Sequence, residues 1–464
     1  MKALDLGSSR VFSTVCKLVF PAMIAQFINV LYSVVDRIFV GNIREIGDTA
    51  LAAVGVCAPV ATVISSFAFL VGTGGAPLFA MALGEKNQER ARQILANALI
   101  ALIALSILVM AVVFVFERPL LYTFGASDRT YPYARQYLLI YTAGSLFSIT
   151  AVGLNQYVIA QGYSATGMAT TLVGAAANIA LDPLFIFVFH MNVAGAALAT
   201  VLSQVLSFVF VFLFLLRKNT KIRLSIGKPN FPMIGNILRL GISPFLIMAT
   251  DSAIIILSNA LLKQYGGADA DLWITVSTVV QAFFQLLTMP LLGISTGSQP
   301  VLSYNYGARQ EKNIRRAEKY IVLLCLSYSV LMTLLSLFLA SPFVSLFTKT
   351  PEIAQKSVWG IRVFMTGAIP LAFQYAFVDG MTALGQPQYA IILSMARKLV
   401  IFLGCIIILP IFWGVQAVFY AEPAADIFSA VLSSCVFLIG FPRVLKKRMH
   451  PEIFTKKAQN VPSK

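Results

Sequence analysis

The stretches VGTGGAPLFAMALGEKNQ at 71–88 and GISTGSQPVLSYNYGARQE at 293–311 are two copies of one motif, aligned at an offset of 223 positions. Identical residues coincide at Thr73 and Thr296, Gly74 and Gly297, Pro77 and Pro300, and Gly84 and Gly307. The same offset pairs Pro21 with Pro244, Ala160 with Ala383 and Gly162 with Gly385. One offset that holds over roughly 140 residues predicts an internal duplication of the chain.

Long apolar segments recur along the whole chain, on both sides of each copy of the motif. The chain has 464 residues, of which 58% are hydrophobic and only 12% charged, so it is too apolar for a soluble domain. A helix of about 20 apolar residues crosses the hydrocarbon core of a bilayer. Twelve segments reach this length, at 13–40, 51–77, 93–116, 132–160, 166–189, 193–216, 234–263, 272–300, 319–346, 355–384, 388–411 and 415–440. The sequence therefore predicts an all-α polytopic membrane protein that lies in a lipid bilayer.

The duplication divides the twelve predicted helices into two lobes. Each copy carries six helices, and because six is an even number, both copies enter the membrane in the same orientation. We therefore expect two six-helix lobes related by a pseudo-twofold axis along the membrane normal. The predicted units are an N-lobe at 1–216, a cytoplasmic linker at 217–233, a C-lobe at 234–440 and a basic cytoplasmic tail at 441–464. Two facing lobes are typical of a transporter with alternating access, although architecture alone names no substrate.

The distribution of charge predicts the orientation of the chain. A net charge of +16 would suggest a nucleic-acid partner for a soluble protein, but here it follows the predicted loops. If both termini are cytoplasmic, the inside segments hold 24 of the 35 basic residues. They cluster at 2–17, 86–92, 217–239, 309–319 and 443–464. An excess of Lys and Arg marks the inner side of a membrane protein, so we expect cytoplasmic N and C termini in the cell membrane and no nucleic-acid partner.

Polar side chains form a stripe on the first predicted helix and recur on two others. At 100° per residue, the stripe spans about 80° and has Tyr32 beside it. Its members are Gln26, Asn29, Ser33 and Asp36. On the fifth helix Asn178 and Asp182 are four residues apart and share a face. On the sixth helix the shared face carries Thr200, Ser203, Gln204 and Ser207.

Asp36 and Asp182 are the strongest functional candidates in this set. Carboxylates within a membrane are costly and persist mainly where they face protein, water, an ion or a substrate. Two of them facing one cavity would repel each other, which favours proton uptake by at least one. Two structural alternatives stay open. Asp36 could pair with Arg37 near the headgroups, although neighbouring side chains point about 100° apart, and the Asn and Thr side chains could serve interhelical hydrogen bonds.

The second half carries fewer polar groups at helical spacing. The eighth helix carries Ser277, Gln281, Gln285 and Thr288 within one arc. Asp251 and Ser258 share a face of the seventh helix, and no basic residue lies near Asp251 along that helix. For Asp379, a snorkelling or gate role competes with substrate contact. Arg397, Glu422 and Asp426 predict one buried ion-pair network with a structural role.

Two further patterns concern helix bending and driving force. Pro21 and Pro244 lie early in the first helix of each half, where a proline bends a helix and frees carbonyl groups; a static packing kink is the alternative. The sequence has no GxxxxGK[ST] phosphate loop, so the chain itself does not hydrolyse ATP. With only His190 and His450 and no cysteine pair at ligand spacing, neither a histidine-built nor a cysteine-built metal site is expected. We expect a secondary transporter without a cofactor, not an enzyme.

Five motifs together resemble the multidrug and toxic compound extrusion (MATE) transporters, in particular their MepA-type subgroup, over essentially the whole chain. The motifs are LYSVVDRIFVG at 31–41, GTGGAPLFAMALGEKN at 72–87, LNQYVIAQG at 154–162, NIALDPLFIF at 178–187 and STGSQPVLSYNYGA at 295–308. The resemblance implies a V-shaped cleft and export of organic cations or amphiphilic drugs in exchange for protons or sodium ions. It also implies an N-lobe ion site at Asp36, Asn178, Asp182 and Thr200. Tyr32 matches the family's tyrosine one turn before the first aspartate, and Pro21 matches its first-helix proline.

Two positions depart from that subgroup, with Ile159 where an arginine is common and Asp379 where a polar amide is common. The resemblance places an acid of the seventh helix close to Asp251. We expect a substrate cavity between the two lobes. It is lined by Gln26, Asn29, Asn155, Asp251, Gln281 and Gln285.

The function expected from all this is that of a multidrug efflux antiporter, acting as a monomer on cationic or amphiphilic small molecules. Protons are the expected coupling ion, although the oxygens of Asp36, Asn178, Asp182 and Thr200 would also suit sodium. One alternative is a flippase for a lipid-linked saccharide, but such proteins need arginines for pyrophosphate, whereas the candidate groups here are acidic and neutral. Another is an intramembrane aspartyl protease, which requires a Gly-x-Gly-Asp segment that this sequence lacks.

Overall fold

A computed structural model describes residues 3–43, 46–225 and 227–449 of the chain. Its α-helices in the first half are α1 (Val11–Gly41), α2 (Gly47–Gly84), α3 (Gln88–Thr123), α4 (Tyr131–Ala160), α5 (Ser164–Pro183) and α6 (Asn192–Leu216). Those of the second half are α7 (Phe231–Gly266), α8 (Ala270–Gly307), α9 (Glu311–Ser345), α10 (Pro351–Met365), α11 (Ala368–Ala383), α12 (Pro387–Met395), α13 (Leu403–Trp413) and α14 (Ala421–Met449). Short π-helical segments follow α5 at Leu184–Val188 and join α12 to α13 at Ala396–Phe402.

The prediction of twelve membrane-spanning segments is confirmed. Within the described ranges, 11 helical segments are long and apolar enough to cross a bilayer, and the pair α10 and α11 supplies a twelfth. This pair bends by 46°. The bend lies between Met365 and Ala368, just before Pro370, whose ring prevents a continuous helix because it would clash with the preceding turn. The predicted single helix at 355–384 is therefore a broken span.

The duplication is visible in the backbone itself. Helices α2 and α8 both contain 38 residues. After them the chain turns through left-handed residues at matching positions, Lys86 with φ 58° and Arg309 with φ 55°. A second matching pair is Gly162 with φ 90° and Gly385 with φ 70°. Because non-glycine residues rarely adopt positive φ, the recurrence at Lys86 and Arg309 shows that the two copies share one local fold.

Two large apolar cores lie inside the bundle, one in each half, and a small third cluster of Val378, Ala390 and Leu393 joins α11 to α12. The first is formed by α2 to α6 and includes Ile237 from the beginning of α7. The second is formed by α7 to α14 and includes Val15 and Leu18 from the beginning of α1. Each lobe therefore packs around the start of the other lobe's first helix. On the outside, large apolar side chains such as Val115 and Phe338 are more than 70% exposed, as a lipid-facing surface requires.

The predicted tail extends the last helix. α14 continues as a helix to Met449, past the predicted end of the span at 440. The remainder of the tail, 450–464, lies outside the described residues, as does Lys2.

The two lobes approach each other closely near one end of the bundle, which we call the basic face. It comprises residues 3–10, the turns at 85–87, 161–163, 308–310 and 384–386, the described parts of the linker at 217–230, and the end of α14. A Cβ atom added to Gly84 would overlap the carbonyl oxygen of Tyr304, and one added to Gly307 would overlap that of Met81. Small residues allow such close helix crossings in membranes. The repeated motif thus forms the crossing of α2 and α8.

The N-terminal segment joins both lobes at the basic face. The Leu4 amide donates to the Gly162 carbonyl at 3.1 Å, and Lys221 Nζ donates to the Leu4 carbonyl at 2.9 Å. On the other side, Asn305 Nδ2 donates to the Leu6 carbonyl at 2.9 Å. Partial desolvation of the amine at this contact lowers the pKa of Lys221. A further ion pair between the lobes joins Glu85, after α2, to Arg448 of α14.

Candidate ion-coupling site

The local fold of α5 places Asp182 where the helix widens. Pro183 follows it directly and has no amide hydrogen, so the α-helical hydrogen-bond ladder cannot continue unchanged. The π-helical segment Leu184–Val188 takes over from there. Single π turns are frequent at functional sites because they turn side chains off the regular helical spacing. Asp182 is fully buried at this junction.

The carboxyl groups of Asp36 and Asp182 meet between α1 and α5. They lie within hydrogen-bonding reach of each other. Asp36 Oδ1 and Asp182 Oδ2 are both buried and have no donor in the described structure. Two carboxylates carry only acceptors, so a proton or another cation must lie between them for this contact to be stable. The structure brings together the two residues that the sequence singled out first.

The amide of Asn178 completes one side of this site. Its Nδ2 donates to Asp182 Oδ1 at 3.3 Å, as expected for residues one turn apart. Asn178 Oδ1 remains buried without a donor in the described structure. Asp36, Asp182 and Asn178 therefore each carry one buried oxygen without a donor in the described structure. Because buried acceptors without partners are costly, their number indicates a binding site for a cation.

Thr200 reaches the site through a tyrosine of α4. The Thr200 hydroxyl donates to the Ala196 carbonyl at 3.0 Å and lies within hydrogen-bonding reach of Tyr137. Tyr137 is buried and close to the charge of Asp36. Tyr141 stacks on Tyr137, with ring centroids 6.1 Å apart. The structure thus links Asp36, Asp182, Asn178 and Thr200, the last of them by way of Tyr137.

The tyrosines of α4 were not selected from the sequence. Their signal is the spacing of Tyr133, Tyr137 and Tyr141, which recur every four residues and share a helix face. Tyr32, which was selected, lies close to Tyr141 and Asp36. Tyr141 also lies within hydrogen-bonding reach of Gln204, another residue of the predicted polar face on α6. The phenol groups of Tyr32 on α1 and Tyr137 on α4 therefore lie close to Asp36, and Tyr141 lies beside both tyrosines.

Among the described residues no ion pair joins Asp36 to Arg37, although the charge of Arg37 acts on Asp36. Arg37 is exposed, whereas Asp36 turns its Oδ1 into the interior towards Asp182. The angle of about 100° between adjacent side chains on a helix explains the separation. Asp36 and Arg37 are neighbours in sequence but face different surroundings.

The predicted substrate residues form separate hydrogen bonds on α1, on α8 and between α4 and α5. On α1, Asn29 Nδ2 donates to Gln26 Oε1 at 3.2 Å, so these two lie together in the stripe that ends at Asp36. On α8, Gln281 Nε2 donates to Ser277 Oγ at 3.3 Å, and Gln285 is exposed. Asn155 Nδ2 donates to the Gly167 carbonyl at 3.2 Å and so ties α4 to α5.

Asp251 has a basic partner that the sequence did not reveal. Lys398 Nζ lies 2.6 Å from Asp251 Oδ1, although the two residues are 147 positions apart. Lys398 belongs to the π-helical segment Ala396–Phe402, which turns it towards α7. The partly exposed carboxylate of Asp251 is therefore already neutralised by a lysine.

The predicted network of Arg397 is confirmed. Its Nη2 lies 2.7 Å from Asp426 Oδ1 and 2.9 Å from Glu422 Oε1, and its Nε lies 2.9 Å from the same Asp426 oxygen. Asp426 is fully buried. This cluster ties the π-helical segment to α14 in the interior of the second lobe.

A cavity of about 460 Å³ opens at the basic face between α2, α3, α7 and the start of α12. Its polar lining consists of Arg90, Asn230, Asn236, Arg239 and Gln388. None of these was predicted as a substrate residue. The cavity lies away from the carboxyl pair and has a basic lining, which does not suit a cation.

Comparison with known proteins gives one family. The profile of the MatE family matches residues 21–184 and 245–407, one match in each half. The chain is 25% identical over 439 residues to a protein named multidrug export protein MepA from Staphylococcus haemolyticus, with 93% of each chain covered. It is also 25% identical over 420 residues to a protein of the same name from Staphylococcus aureus strain MSSA476, covering 89% of this chain and 88% of the relative.

Solved structures with the same fold come from the same family. One is described as the outward-facing conformation of a multidrug resistance MATE family transporter of the MOP superfamily; it has a TM-score of 0.88, 23% identity, and coverage of 96% of this chain and 99% of that one. Another, a MATE crystallised in complex with MaL6, has a TM-score of 0.89 at 23% identity, with coverage of 96% and 100%. The two-lobe architecture of twelve helices is therefore confirmed. The chain belongs to the MatE family, and it is a multi-pass membrane transporter, not an enzyme.

Proposed function

We propose that this transporter exports cationic or amphiphilic small molecules from the cell by antiport, driven by protons that bind at Asp36 and Asp182. The observation that carries the proposal is the contact of these two carboxyl groups without a donor between them. A proton satisfies both groups at once, because a protonated carboxyl donates to its ionised neighbour. Two relatives at 25% identity are named multidrug export proteins, which supports this class of substrate.

The acidic and neutral character of the candidate groups also supports cationic substrates. Asp36 and Asp182 supply negative charge, and Gln26 and Asn29 continue the same helix face. A lipid-linked saccharide would instead require basic groups for its pyrophosphate. The arginine of the second lobe interior, Arg397, is already neutralised by Asp426 and Glu422.

The basic face is proposed to be the cytoplasmic side of the membrane. It carries the N-terminus and the basic clusters near 86–92, 217–239 and 309–319, as the positive-inside pattern requires. The close crossings at Gly84 and Gly307 lie near the same face. In this orientation the described conformation is closed towards the cytoplasm.

The coupling ion acts by stabilising one of two conformations. An ion biases an equilibrium only if it binds the two states differently. Protonation removes the repulsion between Asp36 and Asp182 and lets α1 approach α5. Pro21, in the first half of α1, leaves a carbonyl without a helical partner and so provides the point where α1 can bend. We infer that proton binding bends α1 and drives the drug outwards.

The test is transport by purified protein in liposomes with proton and sodium gradients imposed separately. Asp36→Asn keeps the shape of the side chain but removes its ability to ionise. We expect proton-driven drug transport by this variant to fall to the level of empty liposomes. Asp128→Asn, in the turn before α4, is the matched control, because Asp128 is exposed and, within the described part of the chain, its carboxylate accepts a hydrogen bond only from nearby Tyr122, at 2.9 Å. Transport by Asp36→Asn at the rate of the control would rule out the proposed coupling, and a response to sodium alone would replace the proton by sodium.

A further inference from the structure

A second pair of carboxyl groups lies buried in the second lobe, between α8, α9 and α11. Glu318 of α9 is 5% exposed, and it lies close to the charge of Asp379 on α11. The carboxyl group of Glu318 packs against the backbone of α11, where a Cβ on Gly380 would lie 3.0 Å from both of its oxygens. The pair belongs to neither the ion site of the first lobe nor the Arg397 network.

The two acids of this pair have different surroundings. Asp379 Oδ2 accepts a hydrogen bond from Ser295 Oγ at 2.5 Å, and the Gln299 amide lies near the same carboxyl group without completing a hydrogen bond to it. Neither oxygen of Glu318 has a donor in the described structure. Donors stabilise an ionised carboxylate, so the negative charge belongs on Asp379. Glu318, without donors, is the group that would carry a proton.

Gln299 is an independent sign of a binding site. This residue is 4% exposed and its amide nitrogen Nε2 is buried without an acceptor in good geometry. A buried amide without an acceptor is costly. This cost is offset if the amide gains an acceptor in another protonation state of the acid pair. When Glu318 gives up its proton and the acids move apart, Gln299 can donate fully to Asp379.

The other ionisable groups near the pair do not neutralise it. Cys325 lies further along α9 and close to both acids, and Tyr375 lies one turn before Asp379 on α11. The basic residues of α9 nearest in sequence, Arg315, Arg316 and Lys319, are exposed, and so is Lys17 on the neighbouring α1. Among the described residues no basic group forms an ion pair with either acid, so proton uptake is the available way to reduce the negative charge of the pair.

We propose that Glu318 and Asp379 form a second ion site, in the second lobe, that holds one proton on Glu318 and exchanges it through the basic face. Two carboxylates are too few ligands for a divalent metal, whereas a proton needs no more. The site lies two turns from the start of α9 and about one turn before the end of α11, both at the basic face. The first-lobe pair at Asp36 lies towards the opposite end of α1. This inference goes beyond the proposed function, because it would hold whether or not Asp36 is the coupling residue.

The first experiment measures the proton directly. Infrared difference spectra of the purified full-length protein, recorded as the pH is raised, show the loss of the carbonyl band of protonated acids. In the background Asp36→Asn with Asp182→Asn, which removes the first-lobe acids, we expect a remaining band that disappears with Glu318→Gln. Glu89→Gln, an exposed glutamate on α3, should leave this band intact. A band that persists in Glu318→Gln, or that appears only when sodium is removed, would overturn the assignment.

The second experiment separates a transport role from a static buried acid. Glu318→Gln has the shape of the protonated residue, so the variant should fold. We expect its proton-driven transport to fall by roughly tenfold or more while substrate exchange without a gradient continues. If the pH dependence of transport by Glu318→Gln equals that of the wild type, Glu318 has only a structural role and the proposal is overturned. Failure of the Asp36→Asn test would instead concern only the first-lobe site, so the two ideas fail separately.

Discussion

At the scale of single residues, the ion site depends on side chains that share one buried volume rather than on a contiguous motif. Asp36 and Asp182 are 146 positions apart but touch, because each follows the polar face of its own helix. Asn178 fixes the orientation of Asp182 through a bond of 3.3 Å. Under the proposed function, the unpaired oxygens bind the cation that is exchanged during transport, because buried acceptors without donors are costly.

Tyr137 provides the residue-scale test of how Thr200 joins the site. Tyr137→Phe removes only the hydroxyl that lies between Thr200 and Asp36. A hydrogen bond of this kind contributes about 1 kcal/mol, so we expect transport in liposomes to fall by roughly fivefold with little change in thermal stability. Tyr133→Phe, one turn earlier on the same helix, is the matched control and should behave as wild type. Equal transport by the two variants would exclude Tyr137 from the site.

At the scale of elements, irregular helix segments place the buried charges. The π-helical segment Leu184–Val188 begins directly after Pro183, so the regular turns of α5 end next to Asp182. The segment Ala396–Phe402 turns Arg397 towards α14 and Lys398 towards α7, so adjacent residues neutralise acids on two different helices. A regular helix separates neighbouring side chains by about 100°, and widening the turn adjusts where each one points.

The Arg397 network predicts a large effect on stability. Arg397→Met leaves Asp426 buried and unpaired, which should lower the free energy of unfolding by about 3–5 kcal/mol. Thermal unfolding followed by tryptophan fluorescence in detergent measures this loss. Combining Arg397→Met with Asp426→Asn should recover part of the stability, because the fully buried charge of Asp426 is then gone and only that of Glu422 remains.

An exposed ion pair supplies the control for that comparison. Arg92 and Glu89 are separated by 3.5 Å and both side chains are more than half exposed. Arg92→Met should change stability by less than about 1 kcal/mol. If Arg397→Met were no more harmful than Arg92→Met, the network would not stabilise the second lobe.

At the scale of the whole molecule, the two lobes are joined where the repeated motif crosses itself. Gly84 and Gly307 occupy equivalent positions in the two copies, and each faces the backbone of the other copy. The N-terminal segment and the pair of Glu85 with Arg448 add contacts at the same basic face. A conformational change that opens this face has to separate all of these contacts.

The crossing predicts a difference between two glycines of the same helix. Gly84→Ala places a methyl group against the Tyr304 carbonyl and should hold α2 and α8 apart, whereas a Cβ on Gly55 meets nothing within 4 Å. A shift of about 1.4 kcal/mol in the balance of conformations would change transport roughly tenfold. We therefore expect transport by Gly84→Ala to fall by at least this factor, while Gly55→Ala transports normally. Normal transport by both variants would show that this close crossing is not needed for the cycle.

The sequence by itself determined the twelve spans, the duplication and the carboxyl pair of the candidate first-lobe site. These depend on local periodicity, which a helix converts directly into faces, and on one offset that relates the two copies. Even the N-lobe acids could be selected in this way, because Asp36, Asn178 and Asp182 stand out from apolar neighbours.

Only the tertiary structure decided which charged groups Asp251 and Glu318 meet. Lys398 neutralises Asp251 from 147 positions away, and Glu318 was hidden in the sequence among the basic residues Arg315, Arg316 and Lys319. Its burial follows the apolar face that also carries Ile314 and Ile321, a periodic signal that could have revealed it. The physical reason is that periodicity fixes which side of a helix a residue occupies, whereas packing between helices fixes what that side faces.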